Sequence, residues 1–484
     1  MNITHKLLQQ IDTVSADKIA LIDDQGSTTY GELKREIARC RLHLDRLGIG
    51  AGDRVIFCML DSRSWLFYYF AVHHVGAISI LMNPALPPMI AQKMVATCQP
   101  RAILCRSLDR TPALASLKDL SCIQDLDTMT PSDDCDLDAC YQYSPDETAH
   151  WCTSSGTSGG VPKWVIHGAE AIQTSPWVIA QAHEMNAESV VYCTPRLSFH
   201  YGLMHSIAPL TRGGCAVLSR ELPSARFLID LANTHSITHI YSTPHILSNL
   251  VTKSPDDALM PSLRFVYSGG EQLPMTVEQR FFNKFGVPIL NCIGMAEIYS
   301  WCTTQLPQHR RSGSIGQCMD HMDIEIRDPA TGTLCAHNEP GELWVRSPTR
   351  ALGYHANPEA NALTFPNGWY RSSDIVYRDK DGWLFYVCRN DNNARIKAGF
   401  VNLAEIESFI IELPCIEDCM VYITQSTEDL AELGAKIKVQ AGQSVSAAEI
   451  RQHLARYMVA DKIPRRIDFV DNIARTVTTK KIRG

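Results

Sequence analysis

The sequence predicts an α/β protein. It is expected to have a large N-terminal domain of helix-covered, mostly parallel sheets with a small β-barrel-like part, then a small α+β C-terminal domain. Three observations predict this. Apolar strand-like runs alternate with helix-period stretches through Glu297, the pattern of a parallel sheet covered by helices. From Gly313 onward the pattern shifts to short strands and turn clusters, Asp328-Pro-Ala-Thr-Gly332 and Asn338-Glu-Pro-Gly341. A chain of 484 residues also exceeds one ordinary core, so at least two domains are expected, here 1–390 and 391–484.

The elements follow in order. A strand and a Gly26 turn lead to Thr28-Thr-Tyr-Gly-Glu-Leu33, which opens a helix over Glu32–Leu47 that stops at Gly48. Gly52-Asp-Arg-Val-Ile-Phe57 is a turn into a strand, followed by a helix from about Ser64 and a strand at Ile78–Leu81. Between Asp109 and Asp146 periodicity weakens, and the stretch reads as surface connection. Further strands are expected at Ser189–Thr194, Gly213–Leu218, Ile237–Pro244 with a Pro turn at its end, Leu263–Tyr267 and from Val287, with Arg196–Gly202 as a loop. Helices near Ala404–Ile411 and Ala447–Tyr457 belong to the last domain.

Composition narrows the function. The chain is 45% hydrophobic and 20% charged with a formal net charge of −7, which gives no reason to expect nucleic acid or an anionic membrane as partner. The most apolar stretch, Trp65–Met82, contains His73, His74 and Gly76 and breaks at Asn83-Pro84, so a core helix and strand are expected there, not a membrane span. The N-terminus lacks the apolar core of a signal peptide. Seventeen cysteines without a Cys-x-x-Cys pair are expected to be reduced and buried in a cytoplasmic protein, with no zinc site.

The chemistry centres on Thr153-Ser-Ser-Gly-Thr-Ser-Gly-Gly-Val-Pro-Lys163, whose first eight positions hold five small hydroxylated residues and three glycines. Small residues let backbone N–H groups converge on an anion, hydroxyls add donors, and Lys163 adds a positive charge. Such a loop suits a polyphosphate. A flexible Ser/Gly linker is the bland alternative, opposed by the apolar runs Thr148–Cys152 and Trp164–His167 on either side. The Walker pattern Gly-x-x-x-x-Gly-Lys-Ser/Thr is absent.

This loop resembles the phosphate loop of the adenylate-forming superfamily: acyl-CoA synthetases, adenylation domains and luciferases. It carries one extra residue between Thr157 and Pro162 relative to the usual Ser-Gly-Thr-Thr-Gly-x-Pro-Lys. Further matches follow in the expected order. Ser268-Gly-Gly-Glu271 and Asn291-Cys-Ile-Gly-Met-Ala-Glu297 resemble the adenine-site loop and the Tyr-Gly-x-Thr-Glu motif, with Ile293 for the aromatic and Ala296 for the threonine. Gly353-Tyr354 also matches. Gly368-Trp-Tyr-Arg-Ser-Ser-Asp374 is similar to Gly-Trp-Tyr-Arg-Thr-Gly-Asp, whose aspartate accepts from the ribose hydroxyls. Arg389 and the hinge position Asp391 follow, with Cys388, Arg395 and Ala398 departing from the pattern. Near the end, Lys480 takes the catalytic lysine position, with Thr479 for glycine and Lys481 as competitor.

The resemblance implies ATP and Mg2+ as cofactors, with Ser154, Ser155, Gly156, Thr157, Ser158, Gly159, Lys163, Gly269, Gly270, Glu271, Asn291, Cys292, Ile293, Gly294, Ala296, Asp374 and Arg389 at the nucleotide. It gives Glu297 to magnesium and catalysis, and makes the C-terminal domain mobile about Asp391. Phe199, His200, Tyr201, Gly202, Ser268 and Gly294 are implied at the acid. Amino-acid-activating relatives carry an aspartate where this chain has His200, so an acid without an α-amine is expected, aryl or short acyl, in a site closest to aryl-acid–CoA ligases. The implied reaction is acyl-AMP formation with loss of pyrophosphate, then transfer to a thiol. CoA is the expected acceptor. A carrier protein is one alternative, and a nucleotide-binding protein with degraded catalysis is another.

Overall fold

The computed structural model describes residues 1–106, 111–117, 120–126, 137, 139–158, 161–389, 393–396, 399–425, 431–456 and 463–473. They form two compact units. One holds Met1–Ile324, Val345–Arg371 and Gly382–Leu384, and the other Glu325–Trp344, Ser372–Asp381 and Phe385–Gly484.

Two seven-stranded sheets build the first unit. The first runs in spatial order Ile289–Asn291, Phe265–Ser268, His239–Ser242, Val190–Cys193, Cys215–Val217, Ile19–Asp23, Gly26–Thr29. Its pairs are parallel except the last, where Asp23 opposes Gly26 in a hairpin. Register sets Ser242 beside Ser268 and Ser268 beside Asn291, so the loops leaving these strands emerge along one edge, where open α/β sheets bind ligands. The second sheet runs Gly353–Tyr354, Val161–Gly168, Thr148–Ser158, Ile78–Leu81, Arg54–Phe57, Ala102–Cys105, Ile123–Asp125. Its first three strands pair antiparallel and the rest parallel.

Helix starts follow local chemistry. Thr29 and Glu32 make a reciprocal capping box that opens Tyr30–Arg46, two residues before the expected start. Ser224 caps Ala225–Thr234 through its hydroxyl. Helix Ile3–Ile11, which no motif announced, is capped by Asn2 and buries Ile3, Leu7 and Ile11 in the same core as Tyr30, Trp65, Leu203 and Tyr299.

Two expectations are corrected. The stretch 109–146 is not connection alone: Ile123–Asp125 adds a parallel edge strand against Ala102–Cys105. Three residues are too short to show a period, and neighbouring-strand pairing supplies the order. Likewise the loop Arg196–Gly202 ends at Phe199, the extended N-cap of helix His200–Ile207, so His200, Tyr201 and Gly202 form its first turn.

In the second unit, Ile416–Gln425, Ala431–Val439 and Arg466–Phe469 form a three-stranded sheet. Helices Leu403–Ile411 and Ala447–Leu454 pack with it around Ile406, Ile410, Val421, Ile437 and Ile450. Among the described residues no helix is long and apolar enough to cross a membrane, and every cysteine is free.

Candidate active site

The Ser/Gly run is a hairpin, Thr148–Ser158 against Val161–Gly168, so it is stitched into the second sheet at both ends. The strands run further into the run than its composition suggests. Ser154 is buried and Lys163 half-buried, and the backbone of Ser155, Gly156, Thr157 and Ser158 belongs to the first strand. Gly159 lies outside the described residues.

Tyr354 pairs with Val165 across the sheet. Its hydroxyl donates to Glu297 Oε1 at 2.8 Å, and Lys163 Nζ lies 5.0 Å from its ring centroid. One side chain therefore joins the hairpin's cation to the carboxylate expected at magnesium. Glu297 is buried beside Ala296, and its carbonyl accepts from Ala351 N–H at 2.7 Å. Behind the hairpin lies a neutral polar layer. Ser79 Oγ bridges His73 Nε2 at 3.0 Å and His150 Nδ1 at 2.7 Å, and burial pushes His73 and His167 down to about 3.

The acid loop is held from below. Asp61 is buried, and its Oδ1 accepts from Leu197 N–H at 3.0 Å. Burial pushes this carboxyl up to about 7, against the opposing pull of Arg196 and the Leu197 hydrogen bond. Arg196 in turn donates to the carbonyls of Ser219 and Arg220 at 2.6 and 2.7 Å. Phe199 and His200 are half-buried at the helix start. Burial takes His200 down to about 4, so its imidazole is uncharged at neutral pH. Gly202 is required: a Cβ there would meet the Arg196 carbonyl oxygen at 2.1 Å. Tyr201 spends its hydroxyl on the Ser242 carbonyl at 2.9 Å.

At the strand ends, Gly269 is buried, while Gly270, at φ +85°, and Glu271 are exposed. Asn291, Ile293 and Gly294 are half-buried and Cys292 is buried. Ser268 Oγ is buried with no hydrogen-bond partner among the described residues. Ser300 Oγ shares that condition, and with Trp301, Tyr354 and Asp61 it went unnoticed as a site candidate in the sequence. Only the Gly353-Tyr354 match pointed near any of them.

In the second unit Asp374 is half-buried, and its N–H donates to Ser372 Oγ at 3.0 Å. Ser373, standing where the motif has glycine, keeps the glycine conformation at φ +62°. Arg389 ends the strand Leu384–Arg389. Asp391 and Lys480 lie outside the described residues.

Residues 8–355 match the family model described as AMP-binding enzyme. The chain belongs to that family. This AMP-binding enzyme is 26% identical to the 3-hydroxybenzoate–CoA ligase of Aromatoleum sp. (strain CIB), over 96% of this chain and 92% of that protein. It is 27% identical to a p-hydroxybenzoic acid–AMP ligase of Mycobacterium tuberculosis, over 94% of this chain but only 64% of that protein. The fold matches the crystal structure of an anthranilate CoA ligase holding anthranoyl-AMP, with a TM-score of 0.88, 24% identity, and coverage of 99% of this chain and 95% of that one. The family read from the motifs is borne out, including its leaning toward aryl-acid ligases.

Proposed function

We propose that this AMP-binding enzyme activates a carboxylic acid without an α-amine as its acyl adenylate, releasing pyrophosphate, and passes the acyl group to the thiol of CoA. The observation that carries the reading is the Lys163–Tyr354–Glu297 arrangement, which sets a cation over the face of one buried ring and a carboxylate at its hydroxyl. Aryl acids are favoured over short acyl ones, because the three relatives named above act on, or hold, single-ring aryl acids.

The chemistry follows from charge. A carboxylate must meet the α-phosphorus of ATP, so both reactants are anionic and need neutralising and aligning. The hairpin backbone, Ser154 and Lys163 would hold the phosphates. Gly269, Gly270, Glu271 and Asn291–Gly294 would hold the adenine, Asp374 the ribose, and Phe199, His200, Tyr201, Gly202, Ser268 and Gly294 the acid. Among the described residues no group of three or more metal-ligating side chains exists. Magnesium is commonly held by one or two carboxylates, phosphate oxygens and water, and Glu297 would be the protein's ligand. When bound, it would neutralise phosphate charge. His200, uncharged, contributes no counter-charge for an ammonium.

Lys480 is proposed to bridge carboxylate and α-phosphate, and Asp391 to be the pivot at a domain boundary of 390/391. A cytoplasmic location is proposed from the free cysteines. The p-hydroxybenzoic acid–AMP ligase relative is named for the adenylate and not for CoA; this leaves room for a second reading, in which the acceptor is a carrier protein rather than CoA.

Acid-stimulated pyrophosphate exchange over a panel of carboxylic acids tests the reading. Exchange is expected with single-ring aryl acids and weaker with α-amino acids. No exchange with any acid of the panel would leave a nucleotide-binding protein with degraded catalysis.

A further inference from the structure

The Ser/Gly hairpin is backed by buried polar side chains that no motif singled out. Ser79 and His150 are register partners on the parallel strands Ile78–Leu81 and Thr148–Ser158, and His150 pairs in turn with His167 across the hairpin. All three are buried. Ser79 Oγ lies 2.7 Å from His150 Nδ1 and 3.0 Å from Nε2 of His73, on helix Arg63–His74. His73 Nδ1 lies 3.5 Å from the Tyr143 hydroxyl oxygen, and that hydroxyl donates to the Ala77 carbonyl at 2.8 Å.

These bonds form a chain with one direction. The Tyr143 proton is spent on Ala77, so Tyr143 accepts from His73 Nδ1–H. His73 Nε2 is then an acceptor and takes the single Ser79 proton, and Ser79 accepts from His150 Nδ1–H. Burial pushes His73 down to about 3 and His150 well below the usual imidazole range, so neither ring carries the second proton that would break this order at neutral pH. His150 Nε2 has no hydrogen-bond partner among the described residues, so the Ser79 bond is what orients this ring. An apolar layer of the same shape would be about as stable. What the chain adds is direction.

The register it fixes is the one the hairpin depends on. Trp151, the next residue, pairs with Ile80 and lies in the apolar cluster with Met94 and Trp164. A one-residue slip would carry His150 into that cluster and Trp151 into the polar row. The hairpin's own pairing shifts register twice, between Thr148 and His150 and between Thr153 and Thr157. The four residues His150–Thr153 pair without a break between those shifts, and the second shift opens into the run from Ser154. Irregular pairing of this kind re-aims the strand that carries it, so the aim of the run follows the register of those four residues.

We infer that His150 is a positioning residue of the nucleotide site, pinned through Ser79, His73 and Tyr143 so that Ser154 and the backbone after it face the phosphates of ATP. The inference rests on the proposed nucleotide role of the hairpin. His150 touches no phosphate itself and acts through its strand.

The test reads the Kd for ATP with magnesium by isothermal titration calorimetry on the full-length wild type, His150→Leu, His150→Asn and Ser79→Ala. Kd reports the folded molecules, while loss of folded protein lowers the titrated stoichiometry. A merely structural role therefore moves the stoichiometry and leaves Kd. His150→Leu and Ser79→Ala should each raise Kd about tenfold, the loss of one hydrogen bond's worth of positioning. His150→Asn retains a side-chain donor near Nδ1 and should stay within about threefold of wild type. An unchanged Kd in folded His150→Leu would overturn the inference, as would a His150→Asn no better than His150→Leu. If His150→Leu and Ser79→Ala do not fold, Tyr143→Phe decides: a Kd raised about threefold supports the chain and an unchanged Kd overturns it. A wild type that binds ATP but exchanges pyrophosphate with no acid would strike the proposed acid activation and leave this inference standing. A wild type that binds no ATP would overturn both.

Discussion

The two sides of the candidate site are built differently. The side proposed for phosphate is a hairpin whose chemistry lies in one run of sequence, from Thr153 to Lys163, with Tyr354 paired to it across the sheet and Glu297 held by the Tyr354 hydroxyl. The side proposed for the acid is assembled from Asp61, Leu197, Tyr201, Gly202 and Gly294, positions spread over more than half the first unit. Phosphate is recognised by backbone and small hydroxyls, which must be neighbours to converge. An acid's shape is recognised by packing, which has no sequence spacing. The first side is therefore expected to be intolerant of change in chemistry, the second of change in volume or burial.

The largest expected effect separates the two half-reactions. Lys480→Ala should lower adenylation by about 10²–10³-fold while still consuming a supplied acyl adenylate with the thiol. Asp391→Pro should keep pyrophosphate exchange and lose thioester formation, because proline fixes φ at the pivot. Loss of both half-reactions in each folded variant would remove the two-conformation mechanism. A defect in Lys481→Ala without one in Lys480→Ala would shift the register by one residue.

Asp61 should show what burial costs on the acid side. Its folded pKa, about 7, lies above the unfolded value, so the native state holds the proton more tightly. Its contribution is fully present below about pH 4 and is lost as pH rises toward 7. Asp61→Asn keeps an acceptor for Leu197 N–H and carries no charge. Relative to wild type it should gain stability on the order of a few kcal/mol between pH 4 and pH 8, read by denaturant unfolding. A difference that stays flat with pH would show Asp61 to be ordinarily ionised.

Tyr354→Phe sharpens the phosphate side. It keeps the ring beneath Lys163 and removes only the donor to Glu297 Oε1. Adenylation should fall about tenfold, the loss of one hydrogen bond to a charged group. An unchanged rate would show that Glu297 needs no orienting partner.

The smallest effect is expected at Ser373, whose φ of +62° suits glycine better. Ser373→Gly should raise stability by up to about 1 kcal/mol, strain relief being partly offset by a more flexible unfolded chain. A lower urea midpoint would show that the serine side chain contributes more than the strain costs.

These sites also show what the sequence could and could not reveal. Strand–helix alternation placed the parallel strands within a residue or two: Ile78–Leu81 was read in full, and Val190–Cys193 lies inside the expected Ser189–Thr194. Ser373 was recognisable as a departure because a seven-residue motif framed it. His200 was found by motif offset, yet its helical setting was not, because the extended N-cap Phe199 offers no capping side chain. Ile123–Asp125 is strand only through its neighbour. Asp61 and Leu197 are 136 residues apart and Trp301 and His205 are 96 apart, pairings that spacing alone cannot signal.

Product analysis tests the central claim most directly. The full-length protein is incubated with ATP, magnesium, CoA and a single-ring aryl acid such as 3-hydroxybenzoate, and nucleotide and thioester products are followed together by mass spectrometry. AMP and aryl-CoA should accumulate in equal amounts, and only when the acid is present. Formation of ADP, or AMP release that does not depend on the acid, would contradict it.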